Sequence, residues 1–127
     1  MTQPELRIER LTPRRLVDLR KVFKGSWGTN CWCMHPRLPD ALMRELPGEG
    51  PIGERRRAAL AALARKRRAP GLIAWQGDEP VGWVALAPRT EYLRIDRSRA
   101  TPRVDDVDVW VVPCITVSKA TRGQGIG

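Results

Sequence analysis

The sequence lacks any apolar run long enough to cross a membrane. A transmembrane helix needs roughly 20 consecutive apolar residues, and no run in this chain of 127 residues approaches that length. The N-terminus also lacks the basic and then apolar layout of a signal peptide. We therefore expect a cytoplasmic protein with no membrane partner.

Cysteine and histidine are also scarce. The three cysteines are Cys31, Cys33 and Cys114, and His35 is the only histidine. An odd count of cysteines argues against a disulfide framework. A zinc site of these four residues is one alternative, but Cys-x-Cys-x-His is more tightly spaced than the cysteines of zinc fingers. Cysteines packed as small apolar side chains are favoured, and a catalytic cysteine–histidine pair stays open because it depends on geometry. We predict no metal ion.

Acidic residues are too few to balance the basic ones. The chain has 23 Lys and Arg against 14 Asp and Glu, a net charge of +9, which favours anionic partners such as nucleic acids or polyphosphates. Much of the excess lies at 55–57 and 65–68, and such runs are usually a solvated face. No aromatic residues interleave with them. The alternative function that follows is a small basic nucleic-acid-binding or adaptor module using the Arg55–Arg68 helix, although nucleic acid is the less favoured partner.

Composition and pattern predict one domain that begins with a strand and a helix. Hydrophobic residues make up 42% of the chain and charged residues 29%, as in ordinary globular proteins. Alternating side chains at 6–11 predict a half-buried strand. Thr12-Pro13 then has the pattern of a helix start. The helix itself is marked by apolar residues at helical spacing, namely Leu16, Leu19, Val22 and Phe23.

The middle of the chain predicts a second helix and a hairpin. Residues 54–68 have high helix propensity, and a Pro-Gly pair stops them. Two apolar runs, 72–75 and 81–87, flank a Gly-Asp turn, which is a typical hairpin pattern. The polar connector 88–106 that follows is expected to be a mobile surface loop.

The last stretch joins an apolar strand to a glycine-rich turn. Residues 107–117 predict a buried strand, and Pro113, which has no N–H, predicts a bulge in it. The turn at 122–127 has glycines at alternate positions, which let successive N–H groups converge on one anion. A Rossmann fingerprint needs Gly-x-Gly-x-x-Gly and a Walker loop needs Gly-Lys-Ser/Thr, and both are absent. A flexible tail is the remaining alternative.

Strand and turn together resemble the acetyl-CoA-binding motif of the GCN5-related N-acetyltransferase (GNAT) superfamily, which is Arg/Gln-x-x-Gly-x-Gly/Ala after the fourth strand. Arg122, Gly125 and Gly127 match this motif. The Pro-Val-Gly-Trp-Val strand of the hairpin and the order strand, helix, helix, strand, strand, strand resemble the same superfamily. The resemblance implies that amides of the turn hold the diphosphate of acetyl-CoA and that three strand residues pair with its pantetheine arm. The cofactor-binding residues implied are Ile115, Thr116, Val117, Arg122, Gly123, Gln124, Gly125, Ile126 and Gly127.

The fold implied is an α/β domain of the α+β type over residues 1–127, with a mixed, mostly antiparallel sheet. It lacks the cofactor helix and the C-terminal strands of the superfamily. We therefore expect the fourth strand to expose an edge and an apolar face, and the 127-residue chain to have little or no activity. A complementing C-terminal segment or a second copy is the partner that would complete the fold.

The function implied is transfer of an acetyl group from acetyl-CoA to a primary amine of an acceptor that the sequence does not identify. Asp108 lies near the strand position from which some members of the superfamily take a general base. The acid is unassigned, because Tyr92, the only tyrosine, is in the wrong place. Trp32 and Met34 belong to a Trp-Cys-Met segment that the resemblance places in the lining of the acceptor pocket.

Overall fold

Four strands form one antiparallel sheet and lie in it in sequence order. The computed structural model describes residues 5–127, and all three strand pairings in it are antiparallel. The predicted α+β class is confirmed, whereas the expectation of a mixed sheet is wrong for the described strands. Their bounds are β1 Leu6–Arg10, β2 Gly71–Gln76, β3 Glu79–Pro88 and β4 Trp110–Val117.

The helices include the two that the sequence predicts and three short ones that it does not. The first predicted helix follows a single 3-10 turn, Pro13–Arg15, and the Thr12 side chain makes no capping hydrogen bond. No helix within residues 5–127 is long and apolar enough to span a membrane. The bounds are α1 Leu16–Phe23, α2 Gly28–Cys31, α3 Asp40–Arg44, α4 Ile52–Ala64 and α5 Leu93–Asp96.

The second predicted helix, α4, is shorter at its C-terminal end than expected. It ends at Ala64 instead of Arg68. The four residues 65–68 are all exposed, so they lack the packing that stabilises most helical turns in proteins. Ala69 precedes a proline and is therefore restricted to extended backbone, which also favours an early end.

One face of the sheet carries the core. Ile73, Trp83 and Ala85 point from the sheet into a cluster with residues of α1 and α4. Phe23 of α1 lies edge-on to two indoles, with ring centroids 5.6 Å from Trp32 and 6.4 Å from Trp83. Edge-to-face aromatic contacts of this kind add to the free energy gained by burial. The remaining members of the cluster are Leu11, Leu16, Leu19, Val22, Cys33, Met34, Met43, Leu60, Ala64 and Trp75.

The opposite face of the sheet is open, which corrects two burial predictions. On β1, Ile8 is 59% exposed, so this strand is less buried than its alternation predicts. On β4, Ile115 is 63% exposed, and residues 107–109 lie outside the strand. β4 is therefore an edge strand with a solvated outer face and not the buried strand that its apolar composition suggests.

The connector between β3 and β4 is anchored over its first half, contrary to the expected surface loop. Residues Arg89–Glu91 form a 3-10 turn that leads into α5. Tyr92, between these two turns, is completely buried. The Arg94 side chain donates hydrogen bonds to the carbonyl oxygens of His35 and Leu38, both at 2.8 Å. These long-range contacts hold α5 against the segment that precedes α3.

Candidate functional site

The predicted bulge in β4 is confirmed. Ala85 of β3 pairs with Cys114, but Ala87 pairs with Val111, so β4 uses one residue more than β3 over this interval. The additional residue falls beside Pro113, which cannot donate a ladder hydrogen bond. Pro113 predicts the bulge from sequence because the missing N–H interrupts the hydrogen-bond ladder at that residue.

The strand residues that the resemblance assigns to pantetheine lie beyond this bulge. Ile115, Thr116 and Val117 pair with β3, and no described strand pairs with the other edge of β4. Ile115 faces the open side of the sheet, whereas Thr116 lies opposite the buried Trp83. The free edge of β4 therefore offers backbone N–H and C=O groups to an extended ligand.

The exit from β4 is fixed by a hydrogen-bonded turn. The backbone N–H of Ser118 donates to the carbonyl oxygen of Val81 at 2.9 Å. The hydroxyls of Ser118 and Thr121 share a hydrogen bond of 2.6 Å, and Thr121 is buried. A 3-10 turn, Lys119–Thr121, joins these two residues. The glycine-rich turn thus starts from a defined position at the end of the sheet.

The glycine-rich turn, residues 122–127, carries backbone amides without protein partners. Gly123 and Gly125 have φ values of 83° and 78°, in the left-handed region that glycine adopts at little cost. Within residues 5–127, the N–H groups of residues 123–127 donate no hydrogen bond. The Arg122 side chain donates from Nε to the carbonyl oxygen of Val117 at 3.1 Å. Exposed amides in such a turn are suited to an anion.

The end of this turn lies over the open face of the sheet. A cavity of about 240 Å³ there is lined by Leu72, Val84, Ile115, Ile126 and other residues of the sheet and turn. The Ile126 side chain lies 3.3 Å from the position that a Cβ atom would occupy on Gly82. Its apolar contact with the sheet positions the turn beside β4.

Asp108, the predicted base, is exposed and precedes β4. It lines a cavity of about 310 Å³ together with Arg89, Arg103 and Trp110. Both arginines are bound to Asp96, at 2.9 Å for Arg89 and 3.1 Å for Arg103. Their hydrogen bonds hold the pKa of the Asp96 carboxyl below its usual range. Asp108 therefore stands near the start of β4 in a cavity with cationic walls.

Trp32 and Met34, the predicted acceptor-pocket residues, are core residues in the structure. Trp32 is 0% exposed and Met34 is 3% exposed. Trp32 and Cys33 follow α2 with φ values of 48° and 55°, which turns the chain sharply inward. This placement does not support a role in lining an open pocket. Tyr92 is also buried, and burial raises its pKa to about 12, which makes it a poor proton donor at neutral pH.

The structure brings two cysteines together that are far apart in the sequence. The Trp83 indole Nε1 donates to Cys33 Sγ at 3.2 Å, and Cys114, which lies opposite Ala85, packs against the core cluster that contains Cys33. The neighbouring Cys33 thiol lowers the pKa of Cys114, whereas the Cys114 thiol and then burial raise the pKa of Cys33. Among residues 5–127, no three His, Cys, Asp or Glu side chains are grouped to hold a metal ion.

The first basic cluster is used within the fold. Arg55 donates to the carbonyl oxygen of Leu46 at 3.4 Å. Arg56 donates from Nε to Met43 Sδ at 3.4 Å, and from Nη1 to the carbonyl oxygen of Asn30 at 3.2 Å. These arginines pack α4 against its neighbours, so they do not form one free cationic face with residues 65–68. This arrangement lends no support to the alternative of a basic binding helix.

A scan against protein-family models, a search of curated proteins and a search of solved structures find no match to this chain. The resemblance to the GNAT superfamily therefore rests on the sequence alone, that is, on the motif residues and the order of the predicted elements.

Proposed function

We propose that β4 and the glycine-rich turn bind acetyl-CoA, and that the chain carries the cofactor-binding part of a GNAT-type N-acetyltransferase domain. The observation that carries this proposal is the run of backbone amides over residues 123–127, which have no partners within residues 5–127 and lie shortly after an interrupted edge strand. Such amides gain hydrogen bonds when a diphosphate binds. Lys119 and Arg122 add positive charge beside them.

The proposed pantetheine site is the free edge of β4. An extended arm that contains amides can add to an exposed strand through backbone hydrogen bonds. Ile115, Thr116 and Val117 lie between the bulge and the turn, so an arm that starts from a diphosphate in the turn would extend toward Pro113. The acetyl thioester is then placed near the bulge, at the end of β4 where Asp108 lies.

The proposed reaction is direct transfer to an amine. The amine nitrogen attacks the thioester carbonyl, the thiolate of coenzyme A leaves, and Asp108 takes a proton from the amine directly or through water. We propose binding as the function of the described residues and expect weak turnover, because no acid among them is assigned to return a proton to the leaving thiolate. The acceptor is a primary amine whose identity is open.

Isothermal titration calorimetry of Gly125→Ala against wild type tests the proposed site. Alanine in the left-handed region costs roughly 1–2 kcal/mol. Gly125 is exposed, so we expect the alanine to leave this region in the free chain and to bear the cost only on binding, which corresponds to about a 5- to 30-fold weaker affinity. A Cβ atom at Gly125 meets no heavy atom within 4 Å, so the substitution adds strain without a clash. The matched control is Gly50→Ala, since Gly50 has a φ of 92° and equally open surroundings in a distant loop.

A second ligand distinguishes the contribution of the glycine-rich turn to binding from that of the strand edge. S-acetylpantetheine lacks the diphosphate, so Gly125→Ala should weaken acetyl-CoA binding and leave S-acetylpantetheine binding unchanged. Gly50→Ala should change neither. No detectable binding of acetyl-CoA by the wild-type chain, or equal losses in the two variants, would contradict the proposed site.

A further inference from the structure

The contact between Cys33 and Cys114 is built by three elements. In β3, Trp83 and Ala85 are both buried on the face that carries the core. Cys114 pairs with Ala85, so it lies on this same face and packs against the cluster that contains Cys33. The Trp83 indole Nε1 donates a hydrogen bond of 3.2 Å to Cys33 Sγ. The two thiols are thus adjacent although one follows α2 and the other lies in β4.

The two thiols differ in access to solvent. Cys33 is 6% exposed, whereas Cys114 is only partly buried. The Cys114 sulfur also lies 3.7 Å from the Thr116 hydroxyl oxygen, which can donate a hydrogen bond to a thiolate, and the neighbouring Cys33 thiol lowers the pKa of Cys114. A partly exposed cysteine with stabilised thiolate character is the more reactive member of such a pair. Cys114 is therefore the position that a small reagent attacks first.

We propose that Cys33 and Cys114 form an oxidisable dithiol, which a hydroperoxide converts into an intramolecular disulfide. The Cys114 thiolate attacks a peroxide oxygen, the O–O bond breaks, and the released alkoxide or hydroxide takes a proton from water. The product is a sulfenic acid on Cys114. The Cys33 sulfur then attacks that sulfur, the S–O bond breaks, and the hydroxyl leaves as water with the proton of Cys33. The two thiols lose two electrons and the hydroperoxide gains them.

The disulfide would join the segment after α2 to β4. These elements are otherwise held only by packing, because the sheet partner of β4 is β3. The burial of Cys33 favours formation of the disulfide over further oxidation, because a resolving thiol already lies beside the sulfenic acid. The proposal depends on the thiol geometry alone and is independent of acetyl-CoA binding.

Peptide mapping of the full chain after treatment with hydrogen peroxide tests the dithiol. Tryptic digestion places Cys33 in peptide 25–37 and Cys114 in peptide 104–119. The expected product is a cross-link of these peptides through Cys33 and Cys114, with an intact mass about 2 Da below that of the reduced chain. Cys31, two residues from Cys33 and partly buried, should remain a free thiol.

Cys31→Ser is the matched control and should form the same cross-link at the wild-type rate. Cys31 and Cys33 lie in the same tryptic peptide, so fragmentation of the linked peptides at Trp32 identifies which of the two cysteines is bonded to Cys114 in the wild-type chain. In urea, where the geometry is lost, cross-links to Cys114 should divide between Cys31 and Cys33. A native chain that links Cys31 to Cys114, forms only intermolecular disulfides, or accumulates sulfinic acid on Cys114 would overturn the proposal.

Discussion

Arg94 is the side chain whose removal should most clearly test how the connector is anchored. Its guanidinium donates to the carbonyl oxygens of His35 and Leu38 and to Asp40 Oδ1, each at 2.8 Å. The hydrogen bond to the Leu38 carbonyl oxygen is partly buried and contributes about 1–2 kcal/mol, whereas the one to the His35 carbonyl oxygen is exposed and contributes about 1 kcal/mol or less. The Asp40 side chain is 79% exposed, so its ion pair adds less than about 1 kcal/mol. Arg94→Ala should therefore lower the free energy of unfolding by about 3 kcal/mol.

Chemical and thermal denaturation followed by circular dichroism measure this loss. For a chain of this length, 1 kcal/mol corresponds to about 4 °C in Tm, so Arg94→Ala should lower Tm by roughly 10 °C. Arg94→Lys should lose most of the same stability, because one ammonium group cannot reach both carbonyl oxygens with the geometry of a guanidinium. The side chain therefore acts through its shape more than through its charge.

Arg97→Ala is the matched control. Arg97 follows the same short helix and is exposed, and its side chain makes no hydrogen bond or ion pair among the described residues. Its removal changes the net charge equally and should change stability by less than about 0.5 kcal/mol. If Arg94→Ala and Arg97→Ala had the same stability, the connector would not be anchored as the structure shows.

Two further predictions concern the connector. Because Arg89 and Arg103 lower the pKa of Asp96 from 3.8, the carboxylate stabilises the fold above that pH, and this stabilisation is lost as the pH falls through the lower folded-state pKa. Asp96→Asn should therefore lie furthest below wild type near pH 7 and converge with it in acid, and parallel stability curves would refute this. Among residues 5–127 the buried Tyr92 hydroxyl has no hydrogen-bond partner, so Tyr92→Phe should leave stability unchanged or raise it by about 1 kcal/mol. A clear loss in urea denaturation would reveal a partner such as Arg37, whose guanidinium carbon lies 4.7 Å from the ring centroid.

Features set by a few neighbouring residues could be predicted from the sequence. The Gly77-Asp78 turn requires a left-handed residue, and Gly77 has a φ of 59° there. Pro113 removes a ladder donor, and the bulge lies beside it. The apolar spacing of α1 also predicts its buried face, since the four residues at that spacing, Leu16, Leu19, Val22 and Phe23, are all buried. In each case, the structure depends on backbone chemistry or periodicity that lies within one short window.

Features set by distant contacts could not be predicted. Tyr92 is buried because α5 docks on residues 36–38, and nothing in the polar sequence around it signals that contact. The sequence places Cys33 beside Cys31 and His35, but the left-handed turn at Trp32 and Cys33 buries Cys33 in the core cluster against which Cys114 packs. Trp32 lies in the core for the same reason. A polar segment and a cysteine-rich loop therefore gave misleading local signals.

The sequence predicts the segment that forms the candidate site but not the side chains that other elements place around it. The motif identified residues 122–127 and the edge of β4, whereas the contact of Ile126 with the open face of the sheet follows only from the fold. Asp108 could be placed near the strand, but the arginines that share its cavity come from the connector. A sequence motif describes only its own segment, so it gives no information about the side chains that other elements contribute to the site.

The alternation of β4 makes the two proposals separable. Cys114 and Thr116 lie opposite Ala85 and Trp83 on the core side, whereas Ile115 faces the open side and the glycine-rich turn lies beyond the strand. Cys114→Ser removes the dithiol without touching the proposed diphosphate amides, so it should bind acetyl-CoA with the wild-type affinity. Gly125→Ala should weaken that binding and still form the Cys33–Cys114 disulfide at the wild-type rate. If either substitution impaired both acetyl-CoA binding and disulfide formation, the two sites would be structurally coupled, and the separation that the alternation of β4 predicts would be wrong.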